Sequence, residues 1–197
     1  DMCIRDRNDS VLYVVTAGSG FHKLILEKQA GTIRFKSQKS YHFFHGQREI
    51  TMFYPMLPEG DSILWLGSRE KGLVRFDKRT EEYKVISLKE MLHKSVDDVL
   101  SLYRTKEGLL YVGTTSGLVC LNSNGKQMKA TYIGREQGLL NDMIHGVLED
   151  ENGLLWLGTN RGLIKYNPIN GSSHAYFYSA GVQIGEFSDC LLYTSPS

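Results

Sequence analysis

His42 and His45 stand three residues apart in an aromatic stretch, Tyr41 to His45. Imidazoles at that spacing can share a metal ion, but a zinc site takes three or four converging ligands. No further His, Cys or carboxylate set completes the pair, so packing between structural units is the expected role. The acidic run Glu149-Asp150-Glu151-Asn152 lacks the alternating oxygen ligands and closing glutamate of a calcium loop. Its counterpart one repeat earlier, Arg104-Thr105-Lys106-Glu107, inverts much of the charge, which predicts a solvated hairpin tip. Gly18-Ser19-Gly20 lacks the other glycines and the following helix of a phosphate-cradling loop. Neither a Gly-x-Ser-x-Gly elbow nor a His-Glu-x-x-His helix occurs. These residues predict no catalytic group, no cofactor and no metal. What remains is a set of polar side chains, Arg69, Glu70, Asn141, Asp142, Asn160 and Arg161, whose use depends on the elements that carry them.

Those elements repeat. ILWLGS from Ile63, LLYVGT from Leu109 and LLWLGT from Leu154 align without gaps, and each is followed by a Gly-Leu step, at Gly72, Gly117 and Gly162. Trp65, Tyr111 and Trp156 recur at intervals of 46 and 45 residues. An earlier, degenerate copy, VLYVVT from Val11, places Tyr13 at the aromatic position and Val15 where the others have glycine; the longer interval to Trp65 implies an insertion near Gln29 to Ser40. Turn signals arrive too often for long helices, and the runs between them are β-branched and aromatic. The last copy reads as strands Ile144 to Glu149, Leu154 to Thr159, Leu163 to Tyr166 and His174 to Tyr178; the preceding copy begins Val99 to Arg104, Leu109 to Thr114 and Leu118 to Leu121.

Four strands in about 45 residues is the period of a propeller blade, and the three- and four-residue apolar spacing of helical repeats is absent. The fold class expected is all-β: an open arc of four-stranded antiparallel blades. The expected units are a partial blade over 8–47, blades over 48–95, 96–140 and 141–180, and the start of another over 181–189. Gly153 is read as closing a tight hairpin at positive φ, and Gly158 as leaving room beside the large ring of Trp156. Trp65, Tyr111 and Trp156 are read as wedges between neighbouring blades rather than ligand stackers.

The chain has 197 residues, 41% of them hydrophobic, with 23 Lys and Arg against 22 Asp and Glu. That balance, with no basic block of five, argues against nucleic acid or a membrane surface as a partner of this segment. No apolar run reaches the roughly 18 residues that cross a bilayer. Met2 to Arg7 and Cys190 to Ser197 resemble translations of complementary halves of a transposon-derived sequencing adapter. Residues 1–7 and 190–197 are therefore read as artefact and expected to join no blade. Cys3 and Cys190 fall within them, leaving Cys120, flanked by apolar residues and read as a small buried hydrophobe, with no disulfide framework.

Asp150 to Pro168, with Gly138-Leu-Leu-Asn-Asp142 before it, resembles the two-component regulator propeller repeat. The resemblance covers Asp61 to Pro168 well and the first copy weakly; the paired residues of WD and kelch repeats are absent. The tail from Gly181 to Asp189 resembles the step into a late blade of such sensors, with Ile184 and Gly185 departing from the usual polar pair. The resemblance implies a periplasmic sensor segment of a hybrid histidine kinase, in a parent anchored in the inner membrane and dimeric at full length. It also implies an oligosaccharide as the ligand and the remaining blades of the propeller as partners. A fragment of an extracellular propeller enzyme of lyase type, or a structural interaction propeller, stays open as an alternative.

In a propeller, turns between second and third strands share a face with the connections between blades, and side chains there can converge on a rigid frame. The turns Ser68 to Lys71, Thr114 to Ser116 and Thr159 to Arg161, with Asn141 and Asp142 from a connection, are expected to form one polar face. Arg69, Glu70, Asn160 and Arg161 carry the donors and acceptors that sugar hydroxyls take. Ordinary solvated turns are the alternative.

Overall fold

The structure is a computed structural model that describes residues 10–29, 31–69, 71–123 and 127–176, and the backbone of 2–8. Four four-stranded sheets follow one another along the chain, each with its strands adjacent in sequence order. The first contains β1 (Met2–Asn8), β2 (Val11–Thr16), β3 (Gly20–Gln29) and β4 (Thr32–Tyr41). A two-stranded ladder, β5 (Phe43–His45) with β6 (Arg48–Ile50), lies between it and the second sheet. The second sheet contains β7 (Phe53–Glu59), β8 (Ile63–Ser68), β9 (Leu73–Asp77) and β10 (Tyr83–Ile86). After a short helix, α1 (Leu88–Leu92), the third contains β11 (Val99–Arg104), β12 (Leu110–Thr114), β13 (Gly117–Asn122) and β14 (Lys129–Ile133). The fourth contains β15 (Ile144–Glu149), β16 (Leu155–Thr159), β17 (Gly162–Tyr166) and β18 (Ser173–Tyr176).

Successive sheets pack face to face, and the sequence alternation decides which side chain goes where. In β8, Leu64 and Leu66 join Tyr13, Phe21 and Phe53 in a core between the first two blades. Ile63 and Trp65 point the other way, into a core with Val99, Leu110 and Val112 of the third blade. Tyr111 likewise faces Val147 and Leu157 of the fourth. Tyr13, Trp65 and Tyr111 therefore drive into the blade that follows, as wedges. Trp65, 1% exposed, contributes roughly 4–6 kcal/mol of gross hydrophobic burial at about 25 cal/mol per Å². Trp156 is only half-buried; it stacks on Tyr176 at 5.5 Å, with Lys165 4.9 Å from its ring centroid.

In the second and third blades the glycine before the terminal hydroxyl residue of the second strand permits this approach. A Cβ on Gly67 would lie 2.6 Å from Cγ1 of Val99, and one on Gly113 would lie 2.5 Å from the carbonyl oxygen of Ile144, both in the next blade. The first strands of the last three blades are bulged near their starts, after Phe53, Val99 and Ile144, which bends each beside that glycine. Gly153 adopts φ +74° in the hairpin it closes.

Three expectations are corrected. Met2–Arg7 were expected to join no blade, yet Met2–Asn8 pairs antiparallel with β2, from Met2 opposite Thr16 to Asn8 opposite Val11. Backbone pairing is indifferent to most side chains, and the open edge of β2 accepts whatever strand precedes it. The first copy, read as a partial blade over 8–47, is thus four-stranded over Met2–Tyr41, and Phe43–Ile50 form a ladder of their own. His42 and His45 do not pack between blades. His42 is 65% exposed with Nδ1 2.5 Å from Glu49, and His45 Nε2 lies 3.4 Å from Glu90. The insertion near Gln29 to Ser40 is a lengthened hairpin, β3 and β4 being ten residues each. Residues 181–189 and 190–197 lie outside the described residues.

Candidate functional site

The turn between second and third strands is built alike in all four blades. The last residue of the second strand, Thr16, Ser68, Thr114 or Thr159, donates its hydroxyl to the carbonyl of the glycine that opens or precedes the third strand, at 3.2, 2.9, 2.8 and 2.8 Å. In three of the turns the same oxygen accepts a backbone N–H, from Ser19, Ser116 or Arg161, at 3.1 Å. The glycine then docks on the connection to the following blade. Gly20 N donates to Thr51 O at 2.9 Å, Gly72 N to Asp97 O at 2.9 Å and Gly117 N to Asp142 O at 2.6 Å. Turns and connections therefore share one face, as the sequence predicts. The hydroxyl residues that organise it were not singled out from sequence, although they end every copy of the repeat motif.

The six candidate residues divide. Arg69 is exposed; Nη1 donates to the Tyr54 hydroxyl at 3.1 Å and Nε lies 3.4 Å from Asp98. The Tyr54 hydrogen bond and the Asp98 charge raise its pKa further above the ordinary value. It lines a cavity of about 230 Å³ with Arg48, Glu49 and Lys71. Asn141 and Arg161 line a different cavity, of about 130 Å³, with Leu140, Thr159 and Ile164. Asn141 and Asp142 also hold their own connection. Asn141 Oδ1 accepts from Met143 N at 3.0 Å, and the Asp142 carboxylate accepts from Arg135 Nε at 3.0 Å. Asn160 lines neither cavity, and its buried Oδ1 has no hydrogen-bond partner among the described residues. Glu70 lies outside the described residues. Arg69 thus lines one cavity, and Asn141 with Arg161 another.

A cleft of about 550 Å³ on this face is one that repeat spacing did not point to. It lies between β5, α1 and the turn of the second blade, lined by His45, Lys71, Lys89, His93 and Lys94, with Asp97 at its base. Asp97 is buried and fixes the connection, accepting from Ser87 Oγ and Lys89 N, each at 2.8 Å. At the opposite end of the blades, Asp150 Oδ1 accepts from Asn152 N at 2.9 Å and Leu154 N at 3.0 Å, so the acidic run closes a hairpin. Cys120, beside the third inter-blade core, is half-buried; desolvation raises its thiol pKa.

Sheets of four antiparallel strands stacked by inter-blade wedges define an arc of a β-propeller. Residues 138–161 match the two-component regulator propeller family. A histidine kinase of Formosa agariphila is 33% identical in an alignment covering 66% of this chain and 13% of that protein. The extracellular domain of a protein described as a hybrid two component system of B. thetaiotaomicron superposes with TM-score 0.62 at 18% identity, covering 88% of this chain and 21% of the other. PorZ, a surface component of the type-IX secretion system of Porphyromonas gingivalis, superposes with TM-score 0.59 at 16% identity, covering 84% and 24%. This chain therefore carries the two-component regulator propeller repeat on a propeller arc, and spans a small part of the proteins it matches. No helix among the described residues is long and apolar enough to cross a membrane.

Proposed function

We propose that this arc is part of the periplasmic sensor region of a hybrid two-component histidine kinase and that its turn-and-connection face binds an oligosaccharide. The observation that carries the reading is the repeated docking of turns on connections, which holds cavities lined by Arg, Lys, His and Asn on one face of a stiff frame. Such side chains supply directed donors and acceptors for sugar hydroxyls, and the blades beneath keep them from rearranging. Signalling chemistry belongs to parts of the parent beyond this segment, which acts by binding and not by catalysis. Titration calorimetry of the 197-residue chain with neutral and acidic oligosaccharides tests it. Saturable binding to at least one, weakened fivefold or more by Arg69→Ala or Arg161→Ala, is the expected result. Binding unaffected by either change moves recognition off this face.

A further inference from the structure

The cleft beside α1 and the cavity beneath Arg69 meet at Lys71, which lines both. Together they present Arg48, Arg69, Lys71, Lys89 and Lys94, with His45 and His93 beside them. Against them the same linings hold three carboxylates, Glu49, Glu90 and Asp97, so cations outnumber anions there in a chain whose whole formal charge is only +1. The acidic groups in the same lining keep their charge but have partners other than the lysine and arginine side chains. Glu49 holds His42, Glu90 lies 3.4 Å from His45, and Asp97 accepts the Ser87 hydroxyl and the Lys89 backbone N–H. Among the described residues no carboxylate forms an ion pair with Arg48, Lys71 or Lys89. Lys94 rests over the Tyr132 ring at 4.8 Å, a contact that leaves ammonium donors open to solvent.

We propose that these joined cavities select an acidic oligosaccharide, one bearing carboxylate or sulfate groups along its length, over a neutral one. Ammonium and guanidinium donors recognise both anions through charge-assisted hydrogen bonds. Charges spread over two cavities that meet at one lysine suit a ligand carrying more than one anionic group. The inference rests on the oligosaccharide reading of the same face and adds to it the chemical class of the sugar. Because the cations stand in open clefts, salt must weaken binding.

The test is calorimetric titration of the 197-residue chain with three probes: an oligogalacturonate, a sulfated disaccharide and a neutral gluco-oligosaccharide of matched size. Lys71→Gln, Lys89→Gln and, as a control at the opposite end of a blade, Lys106→Gln are carried through the same titrations, with thermal melts reporting folding. The expected result is binding of an acidic probe at least tenfold tighter than the neutral one. Lys71→Gln and Lys89→Gln each weaken it about tenfold while Lys106→Gln does not; which acidic probe binds distinguishes carboxylate from sulfate as the recognised group. Binding of the neutral probe alone overturns this inference and leaves the oligosaccharide reading standing. Binding of none overturns both. Equal losses in all three variants, or equal binding of inorganic polyphosphate, overturn it by showing unspecific charge attraction.

Discussion

The junction between the first and second blades and that between the third and fourth perform the same packing task with different side chains. At the later junction Gly113 lets the backbone of Ile144 approach closely, and Ser101 Oγ donates to the Ile144 carbonyl at 3.1 Å. At the earlier one Val15 occupies the glycine position, fully buried, and rings fill the space around it. Phe76 lies 5.1 Å from Phe21, 4.9 Å from Tyr41 and 5.9 Å from Phe43, centroid to centroid. Phe43 comes from the extra ladder of β5 and β6, which the later junctions do not have. The difference teaches that the aromatic wedge is the fixed requirement of the arc, while the residue opposite it is free to change when neighbouring volume changes with it.

The wedge itself should show the largest effect. Trp65→Ala is expected to cost about 3–5 kcal/mol, as for other large buried aromatics. Trp156→Ala, at a half-buried site, should cost less than half as much. Chemical denaturation of both variants measures the difference, and equal losses would remove the distinction between a closed junction and the face of the fourth blade.

Exchanging the two solutions should come next. Gly113→Val is expected to destabilise by about 1–3 kcal/mol through overpacking, since its side chain would meet Ser101 Oγ and the Ile144 carbonyl. Val15→Gly should cost a comparable amount by opening a cavity among rings and freeing the unfolded backbone. If Gly113→Val melts with the parent chain, the close approach between blades is not what the glycine supplies.

The turn clamp is smaller and should be alike in every blade. Thr114→Val keeps the shape of the side chain and removes a donor to Gly117 O and an acceptor for Ser116 N. About 1–2 kcal/mol is expected, and denaturation of Thr159→Val should give the same loss within error. Unequal losses would mean that the repeated geometry does not carry repeated energy.

Much of this architecture was legible in the sequence because it repeats. The inner strands Val99 to Arg104 and Ile144 to Glu149 fall where the apolar runs and turn signals put them, and the aromatic wedge stood out as the position shared by both tryptophans. The hydroxyl clamp was equally repeated, but a Thr at a strand end reads as ordinary β propensity until its partner carbonyl is located. The cationic lining was not legible. Arg48 lies in β6, a ladder the later junctions do not have, and Lys89 and Lys94 lie in the connection through α1, whose counterpart one repeat later is the short 3-10 turn Arg135–Gln137 with different side chains, so spacing gives no reason to group them. Arg69 was selected from its turn, but its joining to these residues through Lys71 is a property of the fold alone.

The smallest expected effect probes what ties the lengthened first blade to its neighbour. Glu81, at φ 59°, accepts the Tyr41 hydroxyl at 2.8 Å, binds the Lys39 ammonium, and lies 3.5 Å from Lys23 Nζ. All three partners belong to β3 and β4, so one carboxylate from the second blade holds the long hairpin of the first. The hydrogen bond from Lys39, then that from Tyr41, lowers the Glu81 pKa below the ordinary carboxylate value. A carboxylate depressed on folding stabilises the folded state above its unfolded pKa, and the contribution disappears as pH falls through the folded pKa. Since the groups are partly exposed, under about 1 kcal/mol is expected. The parent chain should therefore exceed Glu81→Gln in stability by a constant margin from neutral pH to about pH 5, and the margin should close on further acidification. Denaturation midpoints of the two proteins across that range decide it. A margin that persists well below the ordinary carboxylate range would assign the contact to packing between the hairpin and the second blade, and the tie would then be steric like the aromatic cluster beside it.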